Sequence, residues 1–409
     1  MPVPRRVPVL HRTSPHGRRS QGCMSATASS TLRERLDRLT HPGLSGAPRR
    51  RPQPALYTPR GFEVVSTPYG DALMRQDVLP LPALEPHPGN VAYLDTETTG
   101  LSGGAGTYVF AAAIARPIDC GLRLAQLFLP NPGMESALLA ALQDELAPAF
   151  SLATFNGGSF DLPVLRTRWV MARMHGELDH PQHVDLLTLV RSLYRHRMEQ
   201  CNLRTVEERL LGYEREDPVS GALAPEVYFD YLQAGYSPNL ESILEHNRLD
   251  VISLVHLHSL LMRRLQGADA AMDAADWLAL GRHRFRRGSR ADGWRALRNA
   301  AGFSSGDAAA TAGLLISRRL VRRGSISGAD RLLKRMEESF SEDLRVALAR
   351  ARLLEWRRRD PHRALMVVEG AQRRFPEAAA ELELRRERLR RKVLRRGGGK
   401  DSFQTSIPD

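Results

Sequence analysis

Two acidic residues stand two positions apart at the end of an apolar run and could share a cation. Apolar residues 91–94 lead into Asp95 and Glu97, which are followed by a Thr/Gly-rich segment. Successive side chains of a strand alternate between its two faces, so Asp95 and Glu97 are predicted on the same side. Carboxylate oxygens of this kind suit Mg²⁺ or Mn²⁺. The pair alone is also typical of an acidic turn, so its interpretation depends on the rest of the chain.

Two further segments carry acids and a histidine that could complete such a site. Asp161 follows a short strand predicted over residues 152–155 and lies near a predicted helix start. His246 and Asp250 are four residues apart in a helix predicted over residues 240–265, which places both on one face. Four acids and one histidine suit two-metal hydrolysis of a phosphodiester, because the cations activate water and stabilise the leaving oxygen while a base accepts the proton.

Taken in order, these motifs resemble those of the DEDD (DnaQ-like) 3′–5′ exonuclease superfamily, which has a ribonuclease H-like fold. The resemblance covers about residues 60–265, and its motifs are similar to those of the bacterial YprB-type group of ribonuclease H-like proteins. The resemblance implies a set of metal ligands for two Mg²⁺ or Mn²⁺ ions. That set is Asp95, Glu97, Asp161 and Asp250.

The histidine departs from the pattern of that superfamily. His-type members place their histidine five residues before the last Asp, and Tyr-type members place a tyrosine four residues before it. This chain has His246 at the tyrosine spacing, four residues before Asp250. An unperturbed imidazole has a pKa of about 6.5 and can accept a proton near neutral pH, so His246 is predicted to be the general base. The alternative is a residue on the helix face that bonds a backbone carbonyl.

The resemblance also implies residues that hold the terminal nucleotide. Thr98, Thr99 and Leu101 follow the first acids and are assigned to substrate binding, although Leu101 equally suits the core. Asn156, in the second motif, is assigned to substrate binding with them. Asp185 lies where a strand enters a helix, and it is interpreted as a helix cap. The alternative is a supporting role at the rim of the site, as the resemblance to related nucleases implies.

The elements around these residues predict an α/β ribonuclease H-like domain. Strands and helices alternate after three initial strands, which predicts a mixed five-stranded sheet with flanking helices. A hairpin within residues 61–81 is predicted to precede the sheet as a lead-in. The five predicted strands are residues 91–96, 108–115, 122–129, 152–155 and about 183–186.

After about residue 270 the pattern changes to short amphipathic helices separated by Gly/Ser or Asp/Pro turns. Paired helices of this kind resemble a tetratricopeptide array, which predicts an all-α, tetratricopeptide-like C-terminal domain. The chain is therefore divided into four predicted parts. They are a disordered basic segment (1–55), the ribonuclease H-like domain (56–268), a basic helical domain (269–395) and a disordered tail (396–409).

The net charge of +13 is unevenly distributed. Residues 1–60 contain twelve arginines and two acids, and residues 281–400 contain 32 Lys or Arg and 14 acids, while the part between them is net acidic. An acidic centre suits cation binding, and basic flanks attract a polyanion. Nucleic acid, either DNA or RNA, is therefore the predicted partner. The alternative for the helical region is a surface that docks a protein partner.

Neither a membrane nor a disulfide framework is expected from the composition. No apolar stretch approaches the roughly 18 residues that a membrane span needs, and the Arg/Pro-rich start lacks the apolar segment of a secretory signal. The three cysteines, Cys23, Cys120 and Cys201, are far apart in sequence. A cytoplasmic protein with reduced cysteines is expected.

These observations predict a metal-dependent 3′–5′ exonuclease that acts on DNA or RNA. Two alternatives stay open. One is a catalytically inert module that binds nucleic acid or protein on the same fold. The other is a structure-specific endonuclease, which would use the same metals without needing a free end.

Overall fold

A computed structural model describes residues 55–80, 89–100, 105–119, 121–174, 176, 182–215 and 220–397. The predicted disorder of residues 1–54 and 398–409 lies outside these ranges, and so does the predicted substrate contact at Leu101. Within these ranges, no helix combines the length and the apolar character needed to cross a membrane.

The described residues form one mixed sheet of seven strands, ordered β1-β2-β5-β4-β3-β6-β7. Strand β3 pairs in parallel with β6, and β6 with β7, while the remaining neighbours are antiparallel. The strand that carries the first two acids therefore lies inside the sheet. The strands are β1 (Glu63–Thr67), β2 (Gly70–Leu79), β3 (Val91–Thr98), β4 (Val109–Ile118), β5 (Gly121–Phe128), β6 (Ser151–Thr154) and β7 (Gln182–Asp185).

The prediction of five strands is wrong in number, because the lead-in hairpin joins the sheet. Strand β2 pairs antiparallel with β5 from Leu73↔Phe128 to Leu79↔Leu122. Strand β5 is buried along most of its length, so it would leave unpaired backbone groups in the interior if it were the edge. The hairpin thus moves the edge of the sheet from β5 to β1, whose side chains are mostly exposed.

Helices cover both faces of this sheet. A cluster that contains Leu94 packs against the first helix, and a second cluster on the other face contains Tyr93 and Leu254. The long helix that carries His246 and Asp250 buries an apolar stripe that runs from Leu244 to Leu261. The helices are α1 (Glu135–Leu146), α2 (Asp161–Met171), α3 (Leu186–Tyr194), α4 (Leu203–Val206, continued by a π-helical turn), α5 (Ala224–Ala234) and α6 (Leu240–Gln266).

The remaining described chain is helical, which confirms a helical C-terminal region; its tetratricopeptide-like character stays a prediction. Successive helices pack against one another, α7 on α8, α9 on α10, and α12 on both α11 and α13. Met272, Leu280 and Ala296 belong to the same core cluster as Tyr93 and Leu254, so the first two helices pack on the sheet domain. The helices are α7 (Ala274–Arg286), α8 (Arg290–Ala300), α9 (Asp307–Arg322), α10 (Ile326–Ser339), α11 (Leu344–Trp356), α12 (Pro361–Arg374) and α13 (Ala379–Gly397).

Candidate active site

Strand β3 carries Asp95 and Glu97 out of the core. Its first four residues are buried and its last four are partly buried, so the acids lie where the strand emerges. The pairing of β3 with β4 shifts its register between Glu97 and Thr98, an irregularity that ends the regular strand just after the second acid. The hydroxyl of Thr98 then donates to the carbonyl oxygen of Gly100 at 3.0 Å.

Asp161 is the first residue of α2, as the sequence predicts, and it is buried. The hydroxyl of Thr96 donates to its Oδ1 atom at 2.6 Å. Thr96 stands between the two acids of β3, so this hydrogen bond ties the start of α2 to the strand that carries Asp95 and Glu97. No role for Thr96 is apparent from the sequence, because Thr96 and Asp161 are 65 positions apart.

His246 and Asp250 lie on one face of α6, as their spacing predicts. Nε2 of His246 is 3.6 Å from Oδ2 of Asp250, and both side chains are largely buried. The imidazole also packs against Gly221, where a Cβ atom would lie 2.9 Å from Nε2. Glycine at this position therefore lets the short turn that contains Gly221 approach one side of the ring closely.

The acids of β3, α2 and α6 are close enough for their charges to interact. Burial raises the pKa of Asp95 well above its usual range, and the charges of Asp250, Asp161 and Glu97 raise it further. Burial, Asp250 and Asp161 likewise raise the pKa of Glu97. Burial also raises the pKa of Asp161, against the hydrogen bond from Thr96. The structure therefore brings together the four acids that the sequence selects.

Asn247 is a site residue that the sequence did not single out. Its side-chain nitrogen donates to Oδ2 of Asp95 at 2.8 Å and to the backbone oxygen of Asp95 at 3.1 Å. Its own oxygen accepts from Nε2 of Gln126, on β5, at 3.0 Å. Because these bonds hold the amide and the carboxylate in one orientation, α6 fixes Asp95 as well as carrying Asp250. The only indication of this role in the sequence is that Asn247 directly follows His246.

Arg215 is the second site residue missing from the predictions. Its Nη1 atom donates to Oδ1 of Asp250 at 2.5 Å, and its Nη2 atom donates to Glu207 and to Ser253. Among the residues described, Asp95, Glu97 and Asp161 have no ion pair with Lys, Arg or His, so Arg215 neutralises the cluster at its Asp250 end. Nothing in the pattern around Arg215 indicates this role, since the contact spans 35 residues.

The predicted substrate contacts lie in three different settings. Thr98 is partly buried at the end of β3. Thr99 is only 2% exposed, and its hydroxyl accepts the backbone N–H of Tyr108 at 2.9 Å, so it holds a turn and has no surface to offer a ligand. Asn156 has a φ of 67°, a backbone conformation that asparagine tolerates, and it is half-buried.

Asp185 explains how the Asn156 turn is held near the site. Its Oδ1 atom accepts the backbone N–H of Asn156 and that of Leu187, both at 3.0 Å. The prediction that Asp185 caps the following helix is confirmed. Its charge also raises the pKa of Asp161 slightly further, so the turn with Asn156 lies beside the acidic cluster.

A second group of acids lies at the junction of α3 and α7. Ligand atoms of His196, Asp273 and Asp276 come within 4.8 Å of one another. Two arginines already bind these acids: Arg197 contacts both carboxylates at 2.6 to 2.7 Å, and Arg264 contacts Asp276 at 2.8 Å. The group carries its own counterions, so it joins helices and has little need of a metal.

The cluster formed by the acids of β3, α2 and α6 has the opposite composition and fits divalent cations. It gathers carboxylate oxygens, which are hard ligands, and burial makes their charges costly unless a cation is added. Asp95, Glu97, Asp161 and Asp250 would be the ligands, on the elements β3, α2 and α6. Since Arg215 balances only part of this charge, the donor set suits Mg²⁺ or Mn²⁺.

Comparison with known proteins agrees with the fold. Residues 92–262, from β3 through most of α6, match the RNase_H superfamily. The chain is also 38% identical, over 177 residues, to the uncharacterized protein YprB of Bacillus subtilis (strain 168). That match covers 43% of this chain and 43% of YprB, so it spans less than half of either protein. Together the two matches support the predicted ribonuclease H-like fold, which is typical of nucleases that use divalent metals.

Proposed function

We propose that the ribonuclease H-like domain is a metal-dependent nuclease that removes nucleotides from the 3′ ends of DNA or RNA. The observation that carries the proposal is the burial of four carboxylates from three elements, of which Asp250 is paired with Arg215. A folded protein keeps such a costly arrangement where function requires it. The match to the RNase_H superfamily supports phosphodiester hydrolysis as that function.

Each residue has a defined part in this reaction. Asp95, Glu97, Asp161 and Asp250 hold the cations, which when bound favour ionisation of water and balance charge on the leaving oxygen. His246 faces Asp250 and accepts the proton of the attacking water. Asn247 keeps the Asp95 carboxylate in one orientation.

The substrate end lies beside the acids in this proposal. Thr98 and the turn that contains Asn156 border the cluster from β3 and from the α2 side, respectively. They are the described candidates for contact with the terminal nucleotide. A free 3′ end placed here would present its last phosphodiester to the cations, which is why we favour exonuclease action.

The test is a time course on single-stranded DNA and RNA of one sequence, labelled at the 5′ end, with Mn²⁺ or Mg²⁺. We expect a ladder that shortens from the 3′ end and that is absent with EDTA and in Asp95→Ala. Asp144→Ala is the matched control, because Asp144 is an exposed acid on α1 outside the cluster. It should degrade the substrate at the wild-type rate.

Other outcomes select between the alternatives. Cleavage at internal sites of a circular substrate would replace the exonuclease with an endonuclease on the same metals. Retention of full activity by Asp95→Ala would refute the assigned site. Binding without metal-dependent cleavage of any linear or structured substrate would favour an inert binding module.

A further inference from the structure

A groove in the helical region is separate from the acidic cluster. It lies between α9, α11 and α13, with Leu333 of α10 at its edge, and has a volume of about 700 Å³. Its floor is apolar and includes Leu314, Leu348 and Leu353. A groove of this size on a helical array is large enough for several residues of an extended ligand.

The walls of the groove carry a concentration of positive charge. Of the described residues that line it, seven are arginines and none is acidic. Two of the seven have counterions: Arg345 pairs with Asp307 and Asp343, and Arg388 pairs with Glu355. The other five make no ion pair with any described residue; they are Arg318, Arg322, Arg352, Arg357 and Arg385.

Other arginines of this region are arranged differently. Arg350 pairs with Asp330 and Glu337, and Arg390 pairs with Glu369. The helical region therefore contains enough acids to pair many of its arginines, yet five of the seven in the groove make no ion pair with a described residue. A general excess of arginine does not account for this separation.

Arg385 shows what the separation costs. Its Nη1 atom is buried and has no hydrogen-bond partner within the described structure. Burial lowers the pKa of Arg385, and the charges of Arg352 and Arg388 lower it further, against the opposing charges of Glu355 and Glu381. Buried polar groups are nearly always hydrogen-bonded, so an unpaired guanidinium nitrogen in a groove indicates a ligand with anionic oxygens.

Trp356 adds an aromatic surface to the same groove. Its side chain is 61% exposed although it is one of the largest apolar groups in the region. The ammonium of Lys392 lies 4.1 Å from the ring centroid, on a lysine that is itself held by Glu355. An exposed indole beside unpaired arginines offers stacking to a planar group and ion pairs to its phosphates.

We propose that this groove binds single-stranded nucleic acid, with the arginines on the phosphates and Trp356 stacked on a base. A lone phosphate would need one or two of the arginines, whereas five unpaired ones suit a polyanion. An acidic peptide would satisfy the charges and leave the indole without a planar partner. The inference assigns a second contact for the substrate class of the proposed function and rests on it to that extent.

The test measures binding by the full chain in EDTA, so that no turnover is needed. Fluorescence anisotropy would follow a labelled oligothymidylate of about 15 nucleotides, a length suited to a groove of this type. We expect Arg352→Gln/Arg385→Gln to weaken binding about tenfold and to reduce the salt dependence by roughly 0.7 per lost phosphate contact. The matched control is Arg331→Gln/Arg335→Gln, which removes two exposed charges of α10 outside the groove. It should weaken binding less than twofold.

Trp356 supplies a fluorescence readout that does not depend on the net charge of the groove. Stacking of a base should quench indole fluorescence on binding, and Trp356→Leu should abolish that quenching. Equal affinity of the groove variant and the control variant would overturn the proposal. So would equal displacement by poly-L-glutamate and by unlabelled oligonucleotide at the same charge concentration, because the groove would then bind acidic peptide as well as nucleic acid.

The same measurements separate this inference from the proposed function. Binding that depends on the groove in a protein without nuclease activity would leave the inference standing and remove the nuclease. Nuclease activity together with unaltered binding by Arg352→Gln/Arg385→Gln would overturn the inference about the groove and leave the nuclease standing. The thermal stability of Arg352→Gln/Arg385→Gln should equal or exceed that of the wild type, because the substitutions relieve repulsion; a marked loss would assign these arginines to structure and overturn the proposal.

Discussion

Two groups of acids in this protein have opposite electrostatics. Around Asp276, hydrogen bonds from His196 and Arg197 and the charge of Arg264 outweigh burial and hold the pKa of that carboxyl well below its usual range. Around Asp95, burial and neighbouring acids raise the pKa instead. Acids that are already paired with arginines have little need of a further cation, whereas acids with only partial charge balance form the cluster that we propose to bind cations from outside.

The largest expected effect is on activity, at the cluster that contains Asp95. Glu97→Gln removes a metal ligand and should lower the nuclease rate by about 10³-fold or more, because metal stabilisation of the transition state is worth several kcal/mol. It also removes a buried charge that its neighbours repel. The free energy of unfolding without metal, measured in urea, should therefore stay equal or rise. A large fall would show that Glu97 has a structural role.

The corresponding substitution in the group that contains Asp276 should lower stability and leave activity unchanged. Asp276→Asn leaves Arg197 and Arg264 facing a neutral group in a site where the Asp276 side chain is 3% exposed. Loss of one partner from a buried ion pair costs about 3–5 kcal/mol of unfolding free energy. Asp273→Asn is the control, because that side chain is 53% exposed and should cost under about 1 kcal/mol. Nuclease activity per folded molecule should be normal in both, and a lost activity in Asp276→Asn alone would break the comparison.

Manganese should distinguish the two clusters directly. At a concentration about 100 times its dissociation constant, a cation that binds only the folded state adds about 2.7 kcal/mol of stability. We expect Mn²⁺ to raise the melting temperature of the wild type and of Asp273→Asn, and to leave that of Glu97→Gln nearly unchanged. Loss of the shift in Asp273→Asn would place the cation at the other cluster.

A smaller effect is expected where a neutral residue supports a ligand. Asn247→Ala removes the amide that orients Asp95, and loss of such a supporting bond typically lowers metal affinity or activity about 10–100-fold. Asn239→Ala is the matched control, because Asn239 is exposed just before α6 and its side chain makes no capping bond. Higher Mn²⁺ should partly restore the rate of Asn247→Ala, and a defect that metal does not relieve would argue against orientation of a ligand.

The smallest effect concerns a buried group for which no charged neighbour is found among the described residues. Burial lowers the pKa of His258 to about 4, and Nδ1 of this histidine is 2.9 Å from the hydroxyl of Tyr93. The unfolded chain takes up a proton there below about pH 6.5, before the folded protein does, so stability falls as pH falls toward 4. His258→Gln should reduce this loss by about 1 kcal/mol between about pH 6.5 and 5.5. Parallel curves of stability against pH for the two proteins would show that burial does not lower the pKa of His258.

Local pattern is sufficient to predict some elements of the fold. Strand β3 begins as an apolar run and helix α6 is a long amphipathic segment, and both form where the sequence predicts them. The spacing of His246 and Asp250 determines their shared face, because the geometry of one helix fixes it. The acids were identified for the same reason: each occupies a particular end or face of an element that its own neighbours specify.

Long-range pairing is what the sequence left out. The join between β2 and β5 depends on which edge is free once β4 and β5 have paired, and no residue of the hairpin indicates it. Arg215 reaches Asp250 from a segment without apolar periodicity. The counterions of Asp276 are Arg197, which lies 79 positions earlier in the chain, and Arg264, which lies 12 positions earlier. Charge compensation is a property of the assembled structure, so sequence reasoning finds acids more readily than it finds their partners.

The core cluster shared by the sheet domain and the helical region has a consequence for how the protein can be divided. Met272, Leu280 and Ala296 are buried with Tyr93 and Leu254, so a cut near residue 268 would expose apolar surface on both pieces. Heat or denaturant should therefore melt the sheet and the first two helices of the array in one transition. Truncation at this sequence boundary would yield fragments prone to aggregation, and limited proteolysis should release the later helices of the array before it separates α7 and α8 from the nuclease-like domain.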